Sequence, residues 1–131
     1  MSSVDVTPVD VVFDDSALLA LGSGNVLASR LVHQAAETGS WRVHVALATL
    51  AEADSARTGL AGHLAMLDQV AFHPLDLAAV LAASGQEQSL GWCHTRHVAM
   101  PGPERPEGAR VVTLHPKNWE QARVRVLDIS P

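Results

Sequence analysis

Short runs rich in β-branched residues alternate along the chain with stretches whose apolar residues recur at helical spacing. Val9–Phe13 (VDVVF) is predicted as the first strand and stops at the acidic pair Asp14-Asp15. Ser16 is expected to cap a short helix over residues 17–21, which Gly22-Ser23-Gly24 ends. Residues 25–38 place Leu27, Leu31 and Ala35 on one helical face, flanked by Ala28 and Val32, and Gly39 terminates them. Residues 42–45 alternate as Arg-Val-His-Val and read as a second strand. Helical spacing follows over residues 47–57, and Gly59 separates it from a further helix carrying Leu60, Leu64 and Leu67. Val70–His73 is predicted as a third strand closed by Pro74. Asp76 then caps a helix bearing Leu77, Val80 and Leu81, with Gly85 at its C-terminus.

Residues 89–100 are predicted helical, with Leu90, Cys93, His97 and Met100 in register, and residues 101–108 (PGPERPEG) form a loop. Arg110–Thr113 is a fourth predicted strand, residues 116–122 a short helix and residues 124–127 a fifth strand. Strands separated by helices require right-handed crossovers, so the expected fold is α/β: a short, mostly parallel five-stranded sheet between two layers of helices. Residues 1–8 are expected to be a lead-in and residues 9–131 a single domain. Such sheets bind ligands beyond the carboxyl ends of their strands, where strand order reverses. Functional residues are therefore sought just after each strand.

Composition narrows the picture further. At 131 residues, with 47% hydrophobic and 18% charged, the chain can bury a core and is not of the disordered class. Aromatics are 4% with no Tyr, so Ala, Leu and Val must fill that core. A single cysteine excludes a disulfide framework or a Cys-rich zinc module. No basic segment followed by an apolar stretch occurs, nor a run long enough to span a bilayer, which predicts a soluble, cytoplasmic protein. The net charge of −5 is uneven. Residues 1–95 carry three basic side chains against ten acidic ones, whereas residues 96–125 carry six against three. An acidic chain is a poor nucleic-acid binder by default, but a basic region around Arg96, Arg105, Arg110 and Lys117 could face phosphates beside the site.

The first strand runs into Phe13-Asp14-Asp15-Ser16-Ala17-Leu18-Leu19, and the helix after the second carries Thr49-Leu50-Ala51-Glu52. These segments resemble the PIN-domain family, whose best-known members are the ribonuclease toxins of bacterial toxin–antitoxin pairs. The resemblance spans residues 9–127 and implies a PIN-like three-layer α/β/α sandwich with strand order 3-2-1-4-5. It also implies a metal-dependent endoribonuclease with Asp14 and Glu52 as ligands of Mg²⁺ or Mn²⁺. A hard cation takes oxygen ligands, activates a bound water and stabilises the charge of the phosphorane. Where the family carries a third acid this chain has Trp92, or Cys93 with the alignment slipped by one. His115, in Thr113-Leu114-His115-Pro116, stands in place of a fourth acid.

Asp14, Glu52 and His115 are thus the expected catalytic set, and an imidazole would shift metal preference from Mg²⁺ towards Mn²⁺, Zn²⁺ or Fe²⁺. With two of four acids replaced, the expectation is a nuclease of weak or lost activity. The alternative is a non-catalytic PIN-like module that binds RNA or a protein partner. The resemblance further implies a homodimer and an antitoxin-like partner. Asp15 reads as a capping residue able to replace a missing ligand, and His94 and His97 share a helix face at i and i+3. Cys93 reads as a small buried hydrophobe, Trp41 and Trp119 as packing residues, and Gly22-Ser23-Gly24 as a helix break rather than a phosphate loop.

Overall fold

Val11, Val12 and Phe13 are all fully buried, so β1 (Val9–Phe13) is covered on both faces and lies at the centre of the sheet. The computed structural model describes residues 7–131, so only Thr7 and Pro8 of the expected lead-in fall within it. After β1 come α1 (Asp15–Gly22), α2 (Val26–Thr38), β2 (Trp41–Ala46), α3 (Leu47–Ala56), α4 (Leu60–Ala65), β3 (Val70–His73), α5 (Leu77–Ala83) and α6 (Leu90–Ala99). β4 (Arg110–Thr113), a 3-10 turn (Pro116–Trp119) and β5 (Val126–Asp128) complete the order. The strands lie β3-β2-β1-β4-β5 and every neighbouring pair is parallel, as the alternation of strands and helices requires. The result is a three-layer α/β/α sandwich. Among the described residues no helix is long and apolar enough to cross a membrane.

Alternation along the strands divides the core. Val11, Phe13, Val43, Val45 and Val112 pack with α1, α2, α3 and α4 on one face. Val12, Ala46 and Val111 pack with Val98, Ala99, Trp119 and Ala122 on the other. The reversal of strand order falls between β1 and β4, whose register pairs Phe13 with Val112. Residues leaving these two strands therefore meet in one crevice.

Several local expectations are corrected. Asp14, not Ser16, caps α1, accepting the Ala17 N–H, because the helix begins at Asp15 and leaves Asp14 as the extended N-cap with Ser16 already inside the first turn. Ala28, Leu31 and Ala35 are the buried stripe of α2, while Leu27 is 44% exposed. On α5 only Ala79 is buried, and Leu77 (72% exposed), Val80 and Leu81 face outwards. Helix α6 packs against α3, α5 and the sheet at once, so it buries Gly91, Cys93, His94, Thr95, Val98 and Ala99 and leaves Leu90 exposed. The final helix is a single 3-10 turn, and β5 begins at Val126 after Arg123 adopts a positive φ of 59°.

A polar row crosses the α6 side of the sheet where apolar residues would be expected. Asp10 Oδ1 lies 2.8 Å from His44 Nε2, and His44 Nδ1 lies 2.8 Å from His73 Nε2. With both rings neutral, His73 Nε2–H donates to His44, which donates in turn to the carboxylate. Burial and the neighbouring cationic groups lower His73 to about 4. Burial likewise lowers His44 and His94.

In the unfolded chain these rings protonate near pH 6.5. Between there and pH 4 the unfolded state thus binds more protons than the folded one. Stability is full above pH 6.5 and falls as the pH drops towards 4. The loss from His73 should be about 1–2 kcal/mol once screening at this half-buried ring is allowed for. Asp15, whose carboxyl is raised, opposes it only in the carboxylate range. Urea midpoints at pH 7 and pH 5 test this: the midpoint should be lower at pH 5, and His73→Gln should shrink the difference. Equal midpoints would contradict it.

Candidate functional site

Asp14 leaves β1 in an extended conformation, and its backbone N–H donates to Val112 O at 3.1 Å, continuing the parallel ladder. Its carboxylate is 3% exposed. Oδ1 accepts the Ala17 N–H at 2.9 Å and the Ser16 hydroxyl at 2.6 Å, and Oδ2 accepts the Trp119 indole N–H at 3.0 Å. Ser16 Oγ also accepts the Leu114 N–H at 3.0 Å and lies 3.3 Å from Thr113 Oγ1. The first turn of α1 is thereby fastened to the end of β4. Each oxygen of Asp14 already has a donor.

Trp119 ends the 3-10 turn and is 2% exposed. Its ring stacks on Trp92, with centroids 4.8 Å apart and planes 10° from parallel, and the Trp92 indole N–H donates to Asn118 O at 3.1 Å. The two indoles wall a crevice of about 230 Å³ that Asp14, Asp15, Thr49 and Ser89 also line. Trp119 is thus more than a packing residue. Its N–H is the one polar atom on its side chain, and a buried indole N–H needs an acceptor. That requirement is readable in the sequence, but which acceptor meets it is not.

Glu52 lies on α3 with its side chain exposed, and Oε2 accepts the Gly91 N–H at 2.8 Å, satisfying a donor in the first turn of α6. Glycine suits position 91, because a Cβ would push the Glu52 carboxylate aside and come within 3.1 Å of Thr49 Cα. Asp15 has its carboxyl raised first by burial, then by the charge of Asp14, with Glu52 adding to the effect. Asp14, Asp15 and Glu52 therefore form an acidic lip at one end of the sheet, and among the described residues none of them joins an ion pair. His115 is exposed, and its backbone N–H donates to Thr113 Oγ1 at 2.9 Å. Neither Glu52 nor His115 lines the crevice.

Mg²⁺ or Mn²⁺ requires several converging oxygen ligands with free lone pairs. Asp14 turns one oxygen to two donors and the other to an indole N–H. Trp92, or Cys93 with the alignment slipped by one, stands where the family resemblance implied an acid. Among the described residues no group of three His, Cys, Asp or Glu side chains is placed to hold a metal ion. This donor set does not fit either cation. His94 is buried and accepts the Ala48 N–H on Nδ1 at 3.1 Å, which makes it a satisfied core histidine. Burial pushes the Cys93 thiol up, away from nucleophilic use.

The basic C-terminal third does not form one region beside the crevice. Arg96 and Lys117 line a neighbouring depression with Trp92, and Arg96 Nε donates to Ala122 O at 2.9 Å. Arg105 and Arg110 lie at the opposite end of the sheet with Val9 and Asp10. The cause is topological: a parallel β4 must start where β1 starts, so the loop before it carries those arginines away from the strand ends. No family model matches the chain, and a search of curated proteins finds no match.

Proposed function

We propose that this chain is a PIN-like module that has given up metal-dependent RNA cleavage and acts by binding, with a protein as its partner. The observation that carries the reading is the Trp119 N–H on Asp14 Oδ2, backed by the stacked Trp92. In a metal nuclease that oxygen would face a cation and its water, and here it faces an indole. The acidic lip repels phosphodiesters when no cation offsets it, which disfavours RNA at this end. The bare apolar face of α5, with Leu77, Val80 and Leu81 exposed, favours a protein surface. An antitoxin-like protein or a second copy of the chain are the two forms such a partner takes under this reading.

Single-stranded RNA incubated with the full chain in Mg²⁺ and in Mn²⁺ tests the loss of chemistry. No cleavage above background is expected. Cleavage that disappears in Asp14→Asn or Glu52→Gln would overturn the reading and restore the nuclease.

A further inference from the structure

At the end of the sheet opposite Asp14, the starts of β1 and β4 and the loop over residues 101–108 enclose a cleft of about 470 Å³. Four arginines line it, Arg42 from β2, Arg105 from the loop, Arg110 from β4 and Arg125 ahead of β5, against three acids, Asp10, Glu104 and Glu107. Their charges are not equally balanced. Arg42 is matched, donating to both oxygens of Asp10 at 3.0 and 3.2 Å. Arg105 has only Glu104 at 3.7 Å, whose side chain is 88% exposed, and Val98 O at 3.3 Å. Arg125 donates to the neutral carbonyl of Glu107 at 3.1 Å. Arg110 has no ion-pair partner among the described residues.

The Nε atoms of Arg105 and Arg110 are buried and have no hydrogen-bond acceptor among the described residues. A guanidinium stays charged at any ordinary pH, so these donors cannot be relieved by losing a proton. Buried donors of this kind are rare, and because these Nε atoms are closed off, a ligand in the cleft meets the terminal nitrogens of each fork. The loop is also set in advance. Gly102 and Arg105 exchange backbone hydrogen bonds at 3.0 and 3.1 Å, and the Gly108 N–H donates to Arg105 O at 2.8 Å. Guanidinium forks pair bidentately with carboxylate and phosphate oxygens alike, and three of them lining one cleft favour the more highly charged phosphate.

We propose that this cleft binds a phosphate-bearing anion through Arg105, Arg110 and Arg125. The volume falls in the range of small-molecule sites and exceeds the needs of a bare anion, which favours a phosphate monoester with a small organic body. Thr7, Pro8 and Val9 supply the less polar wall for that body. The inference stands apart from the fate of the Asp14 crevice.

Calorimetric titrations of the full chain with inorganic phosphate and with adenosine monophosphate, at ionic strength held constant with chloride, test it. Saturable binding is expected, weakened roughly tenfold or more in Arg110→Gln and in Arg125→Gln. Arg125 is exposed, so its variant should keep the wild-type circular dichroism spectrum even where Arg110→Gln does not. Tighter binding of the monophosphate identifies an ester as the ligand, and equal affinities identify free phosphate. Heats no different from chloride, or binding unchanged in the Arg125 variant, would overturn the proposal.

Discussion

Cutting Trp119 back to alanine should lower the stability of the fold by about 3–5 kcal/mol, the usual range for a buried tryptophan. The side chain is 2% exposed and packs with Val12, Ala46 and Val111 under the sheet. Its removal also strips the stack from Trp92 and the donor from Asp14. Trp119→Phe separates these effects. It keeps an aromatic ring against Trp92 but leaves Asp14 Oδ2 buried without its hydrogen bond, which should cost about 1–3 kcal/mol. Urea denaturation of the three proteins measures both steps. A phenylalanine variant as stable as wild type would mean that the indole N–H adds nothing to Asp14, and that the crevice is closed by packing alone.

Gly108→Ala should destabilise by roughly 2–5 kcal/mol, combining backbone strain with overpacking. Gly108 has φ of 73°, and a Cβ there would run into the Ala99 carbonyl oxygen and approach Pro101 N to 3.2 Å. The obstacle is backbone at the end of α6, which cannot swing aside as a long side chain can. That same carbonyl accepts the Ala109 N–H at 2.9 Å, the contact that feeds the chain into β4. Moving the loop would also move Arg105, so the variant should lose phosphate binding together with stability. A thermal midpoint equal to that of wild type would contradict the close approach.

Much of the architecture was legible because local signals agreed with each other. Val70–His73 and Arg110–Thr113 matched residue for residue, and Gly39 and Asp76 ended and began helices as their chemistry predicts. Helix faces were less legible. Periodicity says which residues share a side, but not how many neighbours a helix has. Helix α6 touches α3, α5 and the sheet and buries Thr95 and His94, whereas α5 at the edge buries almost nothing. The place of Asp14 after β1, at the crevice, was legible. The three donors it takes from Ser16, Ala17 and Trp119 were not, because Trp119 lies 105 residues away. The row of Asp10, His44 and His73 was not legible, because polar residues at alternating strand positions read equally well as a solvent face.

With three donors on its carboxylate, Asp14 should hold no metal ion in the crevice. Calorimetric titration of the full chain with Mn²⁺, beside the same titration of Asp14→Asn, measures this. No saturable binding is expected in the wild type, and an identical trace in the variant. Stoichiometric Mn²⁺ binding by the wild type that vanishes in Asp14→Asn would contradict it.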